Sequence, residues 1–256
     1  MNTQLYIKNH VLDDFSENIL DFNNFKSNLL SYKGTNLKQA NIFLNKNLNN
    51  EEKEILFNLL FSQQGWYRKI NGDSSIQLKF SSYSLGFTHN QFNAINPLPQ
   101  FQHVMQNISN DTFFKINNCY LKQKILSKKT LINYIEFVNT NNMLKFYDNK
   151  IWLYRGVKTN NCAGYITNSL ESWTSQLNIA QQFAGKSGII LKTQIDIDDI
   201  FCCRKTAFKH DNLPSLNLQE KINQGQLIRR EHEFIVEFMK KSFTLKYDKS
   251  NIYILN

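Results

Sequence analysis

The sequence predicts an α+β fold in which helices come first and strands follow. Up to about residue 140, apolar residues recur at three- and four-residue intervals, the period of helices with one buried face. Beyond Asn141 they fall into short apolar runs bounded by turn residues, which read as strands. No Gly-rich fingerprint joins a strand to a helix, which argues against a doubly wound parallel sheet.

The first helix is expected over Asp14 to Leu30, with Phe15, Ile19, Phe22, Phe25 and Leu29 on one face. A second spans Leu37 to Ser62, where Asn50, followed by Glu51 and Glu52, offers a helix start with acids in its first turn. Gly65 to Pro99 is turn-rich, with a turn at Asn71-Gly72 and a loop at Pro97 and Pro99. Helix returns from about Asn118 to Thr140, carried by Leu121, Ile125, Leu131, Ile132, Ile135 and Val138. Strands are expected at Ile151–Val157, Gly188–Ile195, Phe234–Phe238, Phe243–Tyr247 and Ile252–Leu255. One helix interrupts them, Leu177 to Ala184, with Ile179, Ala180 and Phe183 on one face. The expected organisation is a mainly helical portion, 1–117, packed on a core formed by 118–256.

A chain of 256 residues with 41% hydrophobic types and a mean hydropathy of −0.45 has ordinary globular composition and can bury a sizeable core without metal or disulfide. No apolar run approaches the roughly 18 residues of a membrane span, and MNTQLYIKNH does not read as a secretory signal. The formal charge of +9 suggests either an anionic partner or simply a solvated basic surface. Lys122, Lys124, Lys128 and Lys129 look like one face of a helix, and Arg229 and Arg230 form a local pair. Cys119, Cys162, Cys202 and Cys203 show no disulfide framework and read as free thiols. Cys202, Cys203 and His210 come nearest to a metal set but lack a fourth ligand, so no metal is expected.

Three segments draw attention together. Trp152-Leu153-Tyr154-Arg155-Gly156 puts an arginine in an apolar strand, where burial is costly unless the charge is paired. Ser172-Trp173-Thr174-Ser175 precedes the 177–184 helix. Arg230-Glu231-His232-Glu233 opens a strand, and two acids at i and i+2 on a strand share a face. Alone, each has an ordinary explanation: a strand-end arginine reaching solvent, hydroxyls capping a helix, or exposed acids at a strand end.

In that order the segments resemble the Arg–Ser–Glu branch of the mono-ADP-ribosyltransferases, the cholera-toxin-like group. The matching pieces are Tyr154-Arg155-Gly156, Ser172-Trp173-Thr174-Ser175, Ala180 to Phe183, and Glu231-His232-Glu233, and the likeness covers roughly 144–248. It implies the ADP-ribosyltransferase fold, a split β-sandwich core with helices ahead of it. It also implies NAD as co-substrate and an arginine side chain on a target protein as acceptor. Arg155 would contact the NAD phosphate or ribose and hold the strands together. Ser172 would orient Glu233, with Ser175 an alternative because the motif's register varies. Thr174 and Phe183 would line the same cleft, and Gly156 would leave room for the nicotinamide amide.

Glu233 would accept a hydrogen bond from the ribose 2′-hydroxyl and stabilise the positive charge that develops as nicotinamide departs. Glu231 would orient the acceptor guanidinium and help remove its proton. The resemblance also implies that Leu216–Arg230 is a substrate-presenting loop and Asp199–Leu213 a loop near the pyrophosphate, Arg204 and the lysines of the latter offering charge. The runner-up activity is NAD glycohydrolysis, with water as acceptor. A nucleic-acid-binding module is the alternative from another class, but the aromatics fall mostly at core positions. The chain is therefore expected to act without nucleic acid, membrane span or metal, in its own cytoplasm or as a bacterial effector in a host cytosol. The 35 asparagines, a bias typical of AT-rich genomes, lean toward the effector and a host target protein.

Overall fold

A computed structural model of the chain describes residues 16–36, 38–61, 110–140, 149–159, 162–167, 170–203, 205–209, 232–238 and 242–255. Among the described residues four helices lead, α1 (Ser16–Leu30), α2 (Gln39–Asn47), α3 (Asn50–Phe61) and α4 (Asn110–Thr140), and α5 (Leu177–Ala184) lies among the strands. The helix expected over 37–62 is two helices. Leu48 turns extended at φ −113°, ψ 139°. Asn49 then starts α3 as a reciprocal cap: its Oδ1 accepts from the Glu52 amide at 2.9 Å, and its own amide donates to Glu52 Oε2 at 3.0 Å. The turn-rich stretch at Asn71-Gly72, Pro97 and Pro99 lies outside the described residues.

The strands are β1 (Lys150–Val157), β2 (Gly164–Ile166), β3 (Leu170–Thr174), β4 (Ile189–Asp196), β5 (Ile200–Cys203), β6 (Glu233–Glu237), β7 (Ser242–Lys249) and β8 (Ile252–Leu255). With the helices they make the chain α+β. The sheet order is β2-β7-β8-β4-β1-β3-β6-β5, parallel only between β4 and β8. β1 pairs with β4 along its whole length, Lys150↔Asp196 to Val157↔Ile189, but with β3 at a single position, Tyr154↔Thr174. A seam therefore separates β2-β7-β8-β4-β1 from β3-β6-β5. Both groups fill one core: Leu153 and Leu191 from one side meet Trp173 and Val236 from the other, beneath Leu131 and Ile135 of α4. Phe238 bridges them, its ring 5.5 Å from Trp173 and 6.2 Å from Phe243 of β7.

A second core packs Phe25, Leu44, Leu56 and Leu60 of the leading helices against Tyr120 and Leu126 of α4 and Phe201 of β5. Residue 118, the expected boundary, lies inside α4, which belongs to both cores. Three of the four lysines read as one face of α4 are matched with acids. Lys122 is fully buried and ion-paired with Glu52, Lys124 pairs with Glu237, and Lys128 pairs with Asp198. The stretch 199–213 is not a loop throughout. Ile200–Cys203 form β5, all four buried against β6 and α4 because Ile-Phe-Cys-Cys is apolar on both faces. Cys119, Cys202 and Cys203 are buried free thiols, and Cys162 is a half-buried one. No helix among the described residues is long and apolar enough to cross a membrane.

Candidate active site

Arg155, Ser172 and Glu233 meet at the seam. By alternation, Arg155 shares a face of β1 with Ile151 and Leu153, while Tyr154 points to the other face. On β3, Glu171 and Trp173 take the Arg155 side, and Ser172 and Thr174 the opposite one. Thr174 pairs with Glu233 at the first position of β6, so Ser172 sits diagonally across from that carboxylate on the same face. Its hydroxyl donates to Glu233 Oε1, and its carbonyl accepts from Arg155 Nη1. Ser172 thus joins the arginine of one strand group to the carboxylate of the other.

The arginine is charge-compensated from behind. Arg155 Nε donates to the Tyr165 hydroxyl at 3.1 Å, which donates to Glu171 Oε1 at 2.8 Å, while Trp173 Nε1 donates to Glu171 Oε2 at 3.2 Å. Burial opposes the Arg155 charge, but Glu171, Tyr165 and Glu233 outweigh it, so the guanidinium holds its proton more firmly than a free arginine. Tyr165 is pushed up to about 12, by burial first, with Arg155 pulling it back and Glu171 raising it further. Behind Glu233, Cys202 is driven well above the usual thiol range by burial, by Cys203 and by Glu233. It is an inert core thiol.

The remaining expected residues divide. Thr174 is buried, and its hydroxyl accepts from the Gln176 amide at 3.1 Å, so it shapes the turn into α5. Ser175 is exposed, and its amide donates to the His232 carbonyl at 3.4 Å. Of the two serines, Ser172 is the one whose hydroxyl reaches Glu233. At Gly156 the room left by the absent side chain is filled by helix α5 instead of standing open. A Cβ there would lie 1.9 Å from the Ala180 carbonyl and 2.5 Å from the Ala184 amide. The packed face of α5 is accordingly Leu177, Ala180 and Ala184, against Tyr154, Ile190 and Ile252. Phe183, expected on the packed face, is 48% exposed.

Glu231 lies outside the described residues, as do Arg204, His210 and the 216–230 stretch. β6 begins at Glu233, and His232 before it is left-handed at φ 44°. Sequence reasoning missed Tyr165 and Glu171. The available signal was Glu171 itself, an acid next to Leu170 and two residues before Trp173, which needs a cation as much as Arg155 needs an anion. No metal-binding group of His, Cys, Asp and Glu occurs among the described residues. Comparison of the chain with known protein families, with curated proteins and with solved structures finds no match.

Proposed function

We propose that the chain is an NAD-dependent mono-ADP-ribosyltransferase that modifies an arginine side chain of a target protein. The observation that carries the reading is the link Arg155–Ser172–Glu233. Three residues chosen from separate motifs converge across a seam through two hydrogen bonds to one serine. Arg155 is half-buried, charged and turned toward the same serine as Glu233, which suits a pyrophosphate on one side and a ribose on the other. The ADP-ribosyltransferase fold belongs to the same proposal. It is supported by an eight-stranded sheet divided into two groups that share a core, with helices leading.

In this reading Glu233 faces the nicotinamide ribose and stabilises its developing positive charge, while Ser172 holds the carboxylate in place. The glycosidic bond to nicotinamide breaks, and nicotinamide leaves with the bonding electron pair. A guanidinium nitrogen of the acceptor forms the new bond to C1′ and loses its proton to Glu231. The partner is a protein carrying the acceptor arginine, in the chain's own cytoplasm or in a host cell.

The test is incubation with labelled NAD and a cell lysate, scoring free nicotinamide and protein-bound label together. Wild type should give both. Glu233→Gln keeps the shape but loses the charge, and should reduce both by roughly 10²–10³. Near-normal turnover in folded Glu233→Gln overturns the assignment. Glu231→Gln should keep nicotinamide release and lose label on arginine, whereas equal retention of both would mean the acceptor is not arginine.

A further inference from the structure

We propose that Tyr165 and Glu171 are positioning residues for this site, fixing the plane of the Arg155 guanidinium and through it the affinity for NAD. The proposal rests on the functional reading above and adds two residues that reading does not contain.

Glu171 is 1% exposed, with each carboxylate oxygen held by a different donor, Tyr165 and Trp173. Its nearer approach to Arg155, Oε2 to Nε at 3.9 Å, is too long for a direct hydrogen bond. The Tyr165 hydroxyl closes that gap, accepting from Nε and donating to the carboxylate. A lysine and a glutamate would balance charge equally well without fixing an orientation. The bridged arrangement does more, because a guanidinium is planar and rigid. With Nε held by Tyr165 and Nη1 by the Ser172 carbonyl, the plane is set. Nη2 then keeps both its N–H groups without an acceptor among the described residues. It is the nitrogen left to meet an anionic oxygen of a ligand.

The topology gives the relay its reach. Tyr165 sits on β2, an edge of the sheet, yet its hydroxyl arrives at the β1–β3 seam. One phenol therefore ties the outer edge, the arginine strand and the serine strand to the same point.

The experiment is steady-state nicotinamide release by Tyr165→Phe, Glu171→Gln and Arg155→Lys, and by Tyr165→Phe combined with Arg155→Lys, below each protein's melting transition. The expected result is an NAD KM raised about tenfold in Tyr165→Phe and Glu171→Gln, the scale of one lost hydrogen bond to a charged group, with kcat changed less than about twofold. Adding Tyr165→Phe to Arg155→Lys should raise KM no further, because the tyrosine acts through the arginine. A purely structural role would lower the melting temperature and leave KM alone. An unchanged KM in both single variants, or a full second increment in the double variant, overturns the proposal while nicotinamide release by wild type leaves the functional reading standing. If Glu171→Gln does not fold, Tyr165→Phe, which removes one oxygen, decides alone with the double variant. Wild type that releases no nicotinamide removes the functional reading, and this proposal with it.

Discussion

Ser172 serves two masters with two different atoms, and the distinction is testable. Ser172→Ala removes the hydroxyl that holds Glu233 but keeps the carbonyl that holds Arg155. Nicotinamide release should fall about tenfold or more while the NAD KM stays near its wild-type value, as steady-state kinetics would read. A large rise in KM would mean that the hydroxyl supports binding instead. Tyr165 makes a second prediction, in pH. Its folded value of about 12 stands above the ordinary 10.0, so the native state binds the phenol proton more tightly than the unfolded chain does. That contribution to stability is present in full below about pH 10 and is lost as pH rises through about 12. Denaturant midpoints across this window should therefore fall more steeply for wild type than for Tyr165→Phe. His232 makes a third. At φ 44° it tolerates glycine, but valine there should cost roughly 1–2 kcal/mol, measurable by chemical denaturation.

Among the elements, α5 meets the backbone of β1 directly at Gly156. Gly156→Ala would put a methyl 1.9 Å from the Ala180 carbonyl, and backbone cannot rotate away. The expected loss is about 3 kcal/mol or more, read as a drop in melting temperature, whereas Gly164→Ala, whose Cβ would meet one carbonyl at 3.1 Å, should be far milder. At α3, Asn49→Ala removes the side chain that accepts from the Glu52 amide, at about 1 kcal/mol. These elements also mark what the residues reveal by themselves. β1, β4 and β8 were legible because apolar runs bounded by turns have one sensible conformation. From composition alone β2 and β3 do not read as strands: Gly-Tyr-Ile is three residues long, and Leu-Glu-Ser-Trp-Thr hides its alternation behind a buried glutamate. The packed face of α5 was misjudged because Phe183 looked like the anchor, and the alanines owe their burial to Gly156 of β1. The Arg155–Ser172–Glu233 set was visible as motif order, while Tyr165 joined it only through a tertiary approach that no local pattern encodes.

On the scale of the whole molecule, α4 threads both cores, so the leading helices and the sheet should melt together in one transition followed by circular dichroism and Trp fluorescence alike. Lys122→Met strips Glu52 of its buried lysine, and should cost about 3 kcal/mol while lowering that single transition as a whole. The seam has a different consequence. A sheet exchanges its amide hydrogens slowly where strands are bonded along their length and quickly where few bonds must break. β1 is paired with β4 at eight positions and with β3 at one, so a line of fast exchange runs through the middle of the sheet, where exchange is ordinarily slowest. Arg155 and Tyr165 are the clasps across that line, and a ligand lodged there becomes another. Occupancy would then register as slowed exchange in β3 and β6, with β4 and β8 unchanged, since whatever binds where the sheet parts must first hold it shut.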